Sequence, residues 1–201
     1  FAVLHHAASM VGGLDLGLAD RAARTADVIY NLGADETDIP VGPFVIYQGT
    51  HGDRGAHRAD VVLPGAAYTE KSATYVNTEG RPQMTTRAAF PPGQAKEDWA
   101  IIRALSGTLG QTLPFDTLPA LRAALYKDVP GMAALDRIEV ADAGAIERLG
   151  DLAAATSREP FANAVADFYL TNPIARASNV MAEMSAFRGR AAKTGATGTH
   201  G

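Results

Sequence analysis

FVIYQGTHGDRGAHRADVVLPGAAYTEKSATYVNTEGRPQ, Phe44 to Gln83, holds two buried-type strands and a polar hairpin within forty residues. Phe44–Tyr47 and Val61–Leu63 are short, apolar, rich in β-branched residues and bounded by Gly, Pro or Asp. Strands buried on both faces have this composition, so the pair predicts an α/β sheet. Between them Gly49, Gly52 and Gly55 share a loop with Asp53, Arg54 and His57. Polar groups therefore gather just past a strand's carboxyl end, where open α/β sheets bind ligands, and local chemistry alone predicts a crevice there.

Upstream, Ala26–Leu32 reads as an earlier strand, joined to Phe44 by only 11 residues, Gly33 to Pro43. That is slightly short for a parallel crossover, which normally takes a dozen or more. Parallel pairing is still expected, through a trimmed crossover or a non-adjacent partner. Asp53–Ala59 predicts a brief helix and Asp60–Leu63 a strand, stopped at Pro64-Gly65 because proline cannot donate to a ladder. Thr74-Tyr75-Val76 and the residues after Arg81 are β-prone, and Asn77-Thr78-Glu79-Gly80 between them is turn chemistry, with Gly80 free to take positive φ. At the start, Val3, Leu4, Ala7, Ala8 and Val11 recur at helical spacing before Gly12-Gly13. A chain that begins inside such a pattern reads as a fragment, and its sheet is expected to be incomplete by itself.

Downstream the pattern turns helical. Glu97–Leu109 predicts a helix with Trp99, Ile102, Leu105 and Leu109 on one face and Gly110 beyond its end. Leu118–Lys127 predicts a second, capped by Asp116 or Thr117 with Pro119 in the first turn, and residues 143–155 a third. Asn172-Pro173 opens a further helix, with Ile174, Ala177, Met181 and Met184 in one stripe. From Arg188 onward periodicity is lost, which predicts a disordered tail. The expected organisation is an α/β portion over 1–110, a helical extension over 111–187 and a tail over 188–201.

Composition excludes several function classes. The net charge is −4 and evenly spread, with 9 basic and 12 acidic residues over 1–110 and 9 and 10 over the rest. That is no footprint for nucleic acid. Cysteine is absent, which rules out disulfides, thiolate-bound zinc and thiolate-bound iron-sulfur clusters within these residues. No apolar run approaches the ~20 residues of a membrane helix.

The run ADVVLPGAAYTEKSATYVNTEGRPQ, Ala59 to Gln83, resembles the signature of the molybdopterin oxidoreductase superfamily, a strand with a Leu-Pro stop followed by an Asn-Thr-Glu-Gly-Arg hairpin. VLHHAASMVGGLDLG from Val3, YNLGADE from Tyr30, YQGTHGDRGAH from Tyr47, PPGQAKEDWAIIRALS from Pro91, TLPFDTL from Thr112 and FYLTNPIARASNVMA from Phe168 are together similar to the large iron-sulfur subunit of respiratory complex I, the G-type subunit of NADH:quinone oxidoreductase. The likeness is dense over 1–118 and 161–182 and weak around 128–160. It implies a partial Rossmann-like, mostly parallel sheet with a β-hairpin, followed by a helical C-terminal extension, in a family that keeps the molybdopterin fold without the cofactor. It further implies a proton-translocating NADH:quinone oxidoreductase as the whole complex, and [2Fe-2S] and [4Fe-4S] clusters in an N-terminal region not present here. The implied partners are the other peripheral-arm subunits, without nucleic acid or membrane insertion, on the cytoplasmic face of a bacterial inner membrane or the matrix side in mitochondria.

Three constellations are candidates for chemistry. His51, Asp53, His57 and Asp60 form the one His/Asp cluster, and His-x-Asp followed by His offers ligands to a divalent metal, although the spacing matches no specific signature. A structural loop is the expected role, with no metal. Gly49-x-x-Gly52-x-x-Gly55 lacks the G-x-G of a dinucleotide loop, so glycines serving a tight turn are expected. In a true molybdoenzyme such as a formate dehydrogenase, the alternative identity, Asn77, Glu79 and Arg81 could contact a pterin dinucleotide. Here the helical remainder offers no closing β-barrel, and those three are expected to be vestigial, holding the hairpin. No catalytic residue is expected, since no Gly-x-Ser-x-Gly or local triad appears.

Overall fold

A computed structural model describes residues 9–18, 26–34, 38–150, 158–160, 165 and 167–194. The expected helical pattern at Val3–Ala8 and the residues after 194 lie outside them. The described residues form two compact units that are discontinuous in sequence. One unit holds 9–18, 68–90, 99–150 and 158–160, and the other holds 26–34, 38–67, 91–98, 165 and 167–194.

The second unit contains the sheet. Strands β1 (Val28–Leu32), β2 (Phe44–Gly49) and β3 (Val61–Pro64) lie in the order β1-β2-β3, and both ladders are parallel. The short connection from β1 to β2 thus suffices for adjacent parallel pairing. It is pinned by Arg58 in the last turn of helix α2 (Arg54–Arg58), whose Nη2 donates to the carbonyls of Pro40 (2.8 Å) and Pro43 (3.4 Å). Asp60 closes the other crossover from both ends: its amide donates to the Val45 carbonyl and its carboxylate accepts from the Val45 amide at 2.7 Å. Val45 and Tyr47 are fully buried, and so is Gln48. The buried amide of Gln48 is satisfied on both sides, as burial demands. Its Oε1 accepts from the Tyr30 hydroxyl, and its Nε2 donates to Asp98 Oδ1 at 2.8 Å. Burial first, and the Asp98 charge second, push the Tyr30 phenol above its ordinary pKa.

β3 ends at Pro64 as expected. The backbone then continues in register, with Gly65 donating to Gly49 and forming an isolated parallel bridge with Lys96. Gly65 admits the Asp98 carboxylate, which would lie 3.0 Å from an added Cβ.

In the first unit, β4 (Thr74–Val76) and β5 (Pro82–Met84) form the expected antiparallel hairpin. Helix α1 (Met10–Asp15) meets it: the Ser9 hydroxyl accepts from the Val76 amide at 3.0 Å, and Gly12 faces the Val76 side chain. Helix α3 (Asp98–Thr108) ends in a Schellman motif. Gly110 takes φ +76, its amide donates to Gly107, and Gln111 donates to Ser106. Helix α4 (Leu118–Asp128) is capped by Thr117, whose hydroxyl accepts from the Ala120 amide. Asp116, the other candidate cap, pairs with Arg103 at 2.6 Å instead. Helix α5 (Ala143–Glu147) is shorter than the expected 143–155, and residues 151–155 lie outside the described part.

One expected helix is two. Asn172 caps α6 (Pro173–Arg176) by accepting from Ala175, as anticipated, but α6 stops and α7 (Asn179–Thr194) restarts after Ser178. Ser178 is a second N-cap, its hydroxyl accepting from Met181 and its carbonyl from Ala182. The serine competes for the backbone inside an apolar stripe that runs across the break. α7 also continues to Thr194, past residue 188, where loss of periodicity places the tail.

The tightest approach in the sheet is at Gly49. An added Cβ would lie 2.2 Å from the Tyr47 hydroxyl oxygen and 2.3 Å from Tyr47 Cζ. Gly49→Ala is expected to cost about 2–3 kcal/mol in denaturant titration. The same substitution in a Tyr47→Ala background should be close to neutral, and an equal loss in both backgrounds would refute the steric account.

Candidate functional site

The loop after β2 runs past the carboxyl end of the parallel sheet and carries the residues singled out by sequence. The structure places them apart in role. The Tyr47 hydroxyl donates to the His51 carbonyl at 3.1 Å, and His51 Nδ1 lies 2.8 Å from the Thr50 hydroxyl. His57 sits exposed on α2. Asp60 is committed to Val45. Asp53 caps α2, its Oδ1 accepting from the Arg54 amide at 2.8 Å, while Oδ2 accepts from Nε of Arg176 in α6. The four residues thus serve separate contacts rather than one shared ligand. Among the described residues no group of three or more His, Cys, Asp or Glu side chains is placed to hold a metal ion.

Asp53 and Arg176 stand 123 residues apart in sequence, and both side chains are about three-quarters buried. Arg176 also donates from Nη1 to the Leu170 carbonyl at 3.1 Å. One guanidinium thus binds the 3-10 turn Phe168–Leu170, helix α6 and the loop after β2 together. That turn is tied to α7 by Asp167, whose Oδ1 caps it through Tyr169 and whose Oδ2 accepts from the Ser185 hydroxyl. Arg188 lies over the Phe168 ring, 5.1 Å from its centroid. Hydrogen bonding to Ser185 holds the Asp167 carboxyl below its ordinary range, and the Arg176 contact does the same for Asp53. No pairwise signal in the sequence links Asp53 to Arg176. The one cue is that both lie in stretches of family resemblance.

In the other unit the hairpin is satisfied from within. Asn77 Oδ1 accepts from the amides of Glu79 (3.0 Å) and Arg81 (2.9 Å), and Asn77 Nδ2 reaches Glu79 Oε2 at 3.4 Å. Gly80 takes φ +82 to close the turn. Arg81 Nη1 donates to the Asp136 carbonyl at 2.8 Å, and Asp136, itself at φ +61, donates its amide to Pro82. Arg81 therefore couples the hairpin to the segment after α4. Nothing in the sequence marks Asp136 as its partner.

Residues 1–108 match the family model of molybdopterin oxidoreductase, which covers more than half of the chain, so the chain belongs to that family. Residues 137–184 match a second model, the C-terminal region of the G subunit of NADH-ubiquinone oxidoreductase. The chain is 44% identical over 204 residues to the "NADH-ubiquinone oxidoreductase 78 kDa subunit, mitochondrial" of Neurospora crassa, covering 96% of this chain and 27% of that protein. It is 48% identical over 193 residues to the protein of the same name in Candida albicans, covering 90% and 27%. To "NADH dehydrogenase [ubiquinone] iron-sulfur protein 1, mitochondrial" of Solanum tuberosum it is 42% identical over 185 residues, covering 89% and 25%. The chain spans about a quarter of the length of these relatives. They support the complex I resemblance and give the formate dehydrogenase alternative no support.

Two outcomes follow from the geometry. The lowered Asp53 pKa means its carboxylate stabilises the fold above the unfolded value of about 3.9, and this is lost as pH falls through the lower folded value. Asp53→Asn should therefore cost about 1–2 kcal/mol at neutral pH, with the deficit vanishing in acid, as read by denaturant titration at several pH values. A pH-independent deficit would count against the ion pair. Arg81→Ala should cost about 1–2 kcal/mol by stranding the Asp136 carbonyl and releasing the hairpin. Unchanged hydrogen exchange at Gln83 and Met84 and in residues 134–137 would contradict it.

Proposed function

We propose that these residues form a structural, cofactor-free portion of the large iron-sulfur subunit of NADH:quinone oxidoreductase, with electron transfer from NADH to quinone carried out by the whole complex. The observation that carries this reading is the hairpin. Asn77, Glu79 and Arg81, the groups suited to a pterin dinucleotide, are engaged by their own turn and by Asp136. They do not fit the cofactor, because binding it would break bonds that fold the hairpin. No catalytic step is assigned to any residue here. Nor is a metal site assigned to His51, Asp53 and His57, since Asp53 is held by Arg54 and Arg176.

The iron-sulfur clusters of the intact subunit belong outside these residues, which contain no cysteine thiolate to bind them. The proposed partners are the other peripheral-arm subunits, and the proposed place is peripheral to the membrane, on the matrix side in mitochondria or the cytoplasmic face in a bacterium. Among the described residues no helix is long and apolar enough to cross a membrane. The contiguous segments 1–110, 111–187 and 188–201 remain the proposed sequence domains, the first supplying the sheet and hairpin and the second the helical extension.

Metal and pterin analysis of the purified intact protein tests the reading. Iron with co-purifying flavin and membrane subunits, and no molybdenum or tungsten, is expected, whereas stoichiometric molybdopterin would overturn it. In the assembled complex His51→Ala and His57→Ala should leave NADH oxidation within about twofold of the parent. Loss of turnover with assembly unchanged would show a role in chemistry.

A further inference from the structure

Among the described residues six arginines are half-buried, Arg58, Arg81, Arg103, Arg122, Arg176 and Arg188. Five of them are engaged by a carbonyl, a carboxylate or an aromatic ring. Arg122, in α4, is the exception: its Nε and Nη2 are buried and have no hydrogen-bond partner. Those two nitrogens make up the side-on edge of the guanidinium, whose parallel N–H bonds match the two oxygens of a carboxylate. Donors removed from water and left unpaired are costly, and charged ones most of all, so this edge calls for an acceptor.

The surroundings of Arg122 define which acceptor fits. Leu118, Leu125 and Tyr126 stand four residues before, three after and four after it, so all share its face of the helix. Each is only half-buried, and α4 has no fully buried residue. An incompletely covered apolar stripe with an arginine at its centre has the make-up of an interface core, where charge is otherwise scarce and arginine is a frequent anchor. A free phosphate fits less well, because Leu118 and Leu125 offer it no second donor. The acids next to α4 in sequence do not serve either. Asp116 pairs with Arg103 at 2.6 Å, and Asp128, six residues beyond Arg122, is exposed on another side of the helix. Charge complementarity therefore requires a carboxylate from outside, carried on an otherwise apolar surface. α4 also lies between the two family matches, 1–108 and 137–184. A contact there serves an assembly rather than the α/β fold that the molybdopterin model covers.

We infer that Arg122 anchors a different subunit of the assembled complex, through an Asp or Glu side chain set among apolar residues that cover Leu118, Leu125 and Tyr126. The guanidinium lies just under the surface, and turning its last torsions presents the side-on edge to the arriving carboxylate. The inference rests on the proposed membership of a multisubunit oxidoreductase and names the place and chemistry of one contact within it.

The assembled complex supplies the test. A photo-crosslinker in place of Tyr126 should capture a peptide of a different subunit that contains Asp or Glu. Capture confined to the same polypeptide or to a second copy of it, or no capture at all, overturns the inference. Arg122→Met keeps the apolar stem and should speed dissociation of the captured subunit by about tenfold or more, and Arg122→Glu by more still. Reversing the charge of the captured carboxylate should restore the Arg122→Glu complex. Unchanged dissociation in both variants overturns the inference, since a guanidinium that serves only its own helix has nothing to lose at the interface. Should either variant fail to fold, the crosslink, made with Arg122 in place, still decides. A chain that never co-purifies with other subunits defeats the functional proposal, whereas a chain that co-purifies with α4 uncrosslinked defeats only the contact.

Discussion

The carboxylate of Asp53 is the point on which the second unit turns. A helix of five residues has no stability of its own, because nucleation costs more than so few hydrogen bonds return. α2 therefore depends on its cap, and the cap is the same group that receives Arg176. Through that guanidinium the loop after β2, α6 and the carbonyl of Leu170 are held at one place, and through Asp167 the adjoining turn holds α7. The C-terminal helices thus attach to the sheet loop through a charge-assisted contact. Among the described residues the fully buried apolar side chains of this unit are few, Val45 and Tyr47 being the largest. Where apolar burial is this limited, a partly buried ion pair sets geometry as much as stability.

What the sequence made legible was local chemistry. The β-branched runs, the Pro64 stop, the Asn172-Pro173 opening and the positive φ of Gly80 all depend on residues within one turn of each other, and each is found where the pattern places it. The break at Ser178 was hidden because Ile174, Ala177, Met181 and Met184 keep helical spacing across it. Periodicity reports which face is apolar, not whether the hydrogen-bond ladder is continuous, and a serine able to cap can restart the ladder without disturbing the stripe. The chain from Tyr30 through Gln48 to Asp98 was hidden for another reason. Its members are far apart in sequence, and a glutamine inside an apolar strand gives no sign of which carboxylate will meet it.

The candidate site shows how polar density misleads when partners are unseen. His51, Asp53, His57 and Asp60 within ten residues look like a ligand set, yet two of the four carry backbone duties that no substitution by histidine could perform. Asp60 is short enough to accept from the Val45 amide while its own amide donates back, which locks the end of a crossover. Loops beside a parallel sheet need such groups to satisfy the backbone where ladders end. Counting titratable residues therefore overestimates chemistry in places where the chain turns sharply.

The three glycines of that loop carry the same lesson in steric form. A phosphate loop needs glycine so that backbone amides can approach an anion, and a tight turn needs it for positive φ. Gly49, Gly52 and Gly55 are not among the residues with positive φ. Gly49 serves neither use, because the Tyr47 ring folds back over it on the way to the His51 carbonyl, so the missing Cβ makes room for an aromatic ring. Gly52 has open space around it, and Gly55 lies buried within α2. Identical residues at even spacing thus answer to separate constraints. The regular interval that suggested a ligand follows instead from a ring, a loop and a helix that succeed one another along the chain.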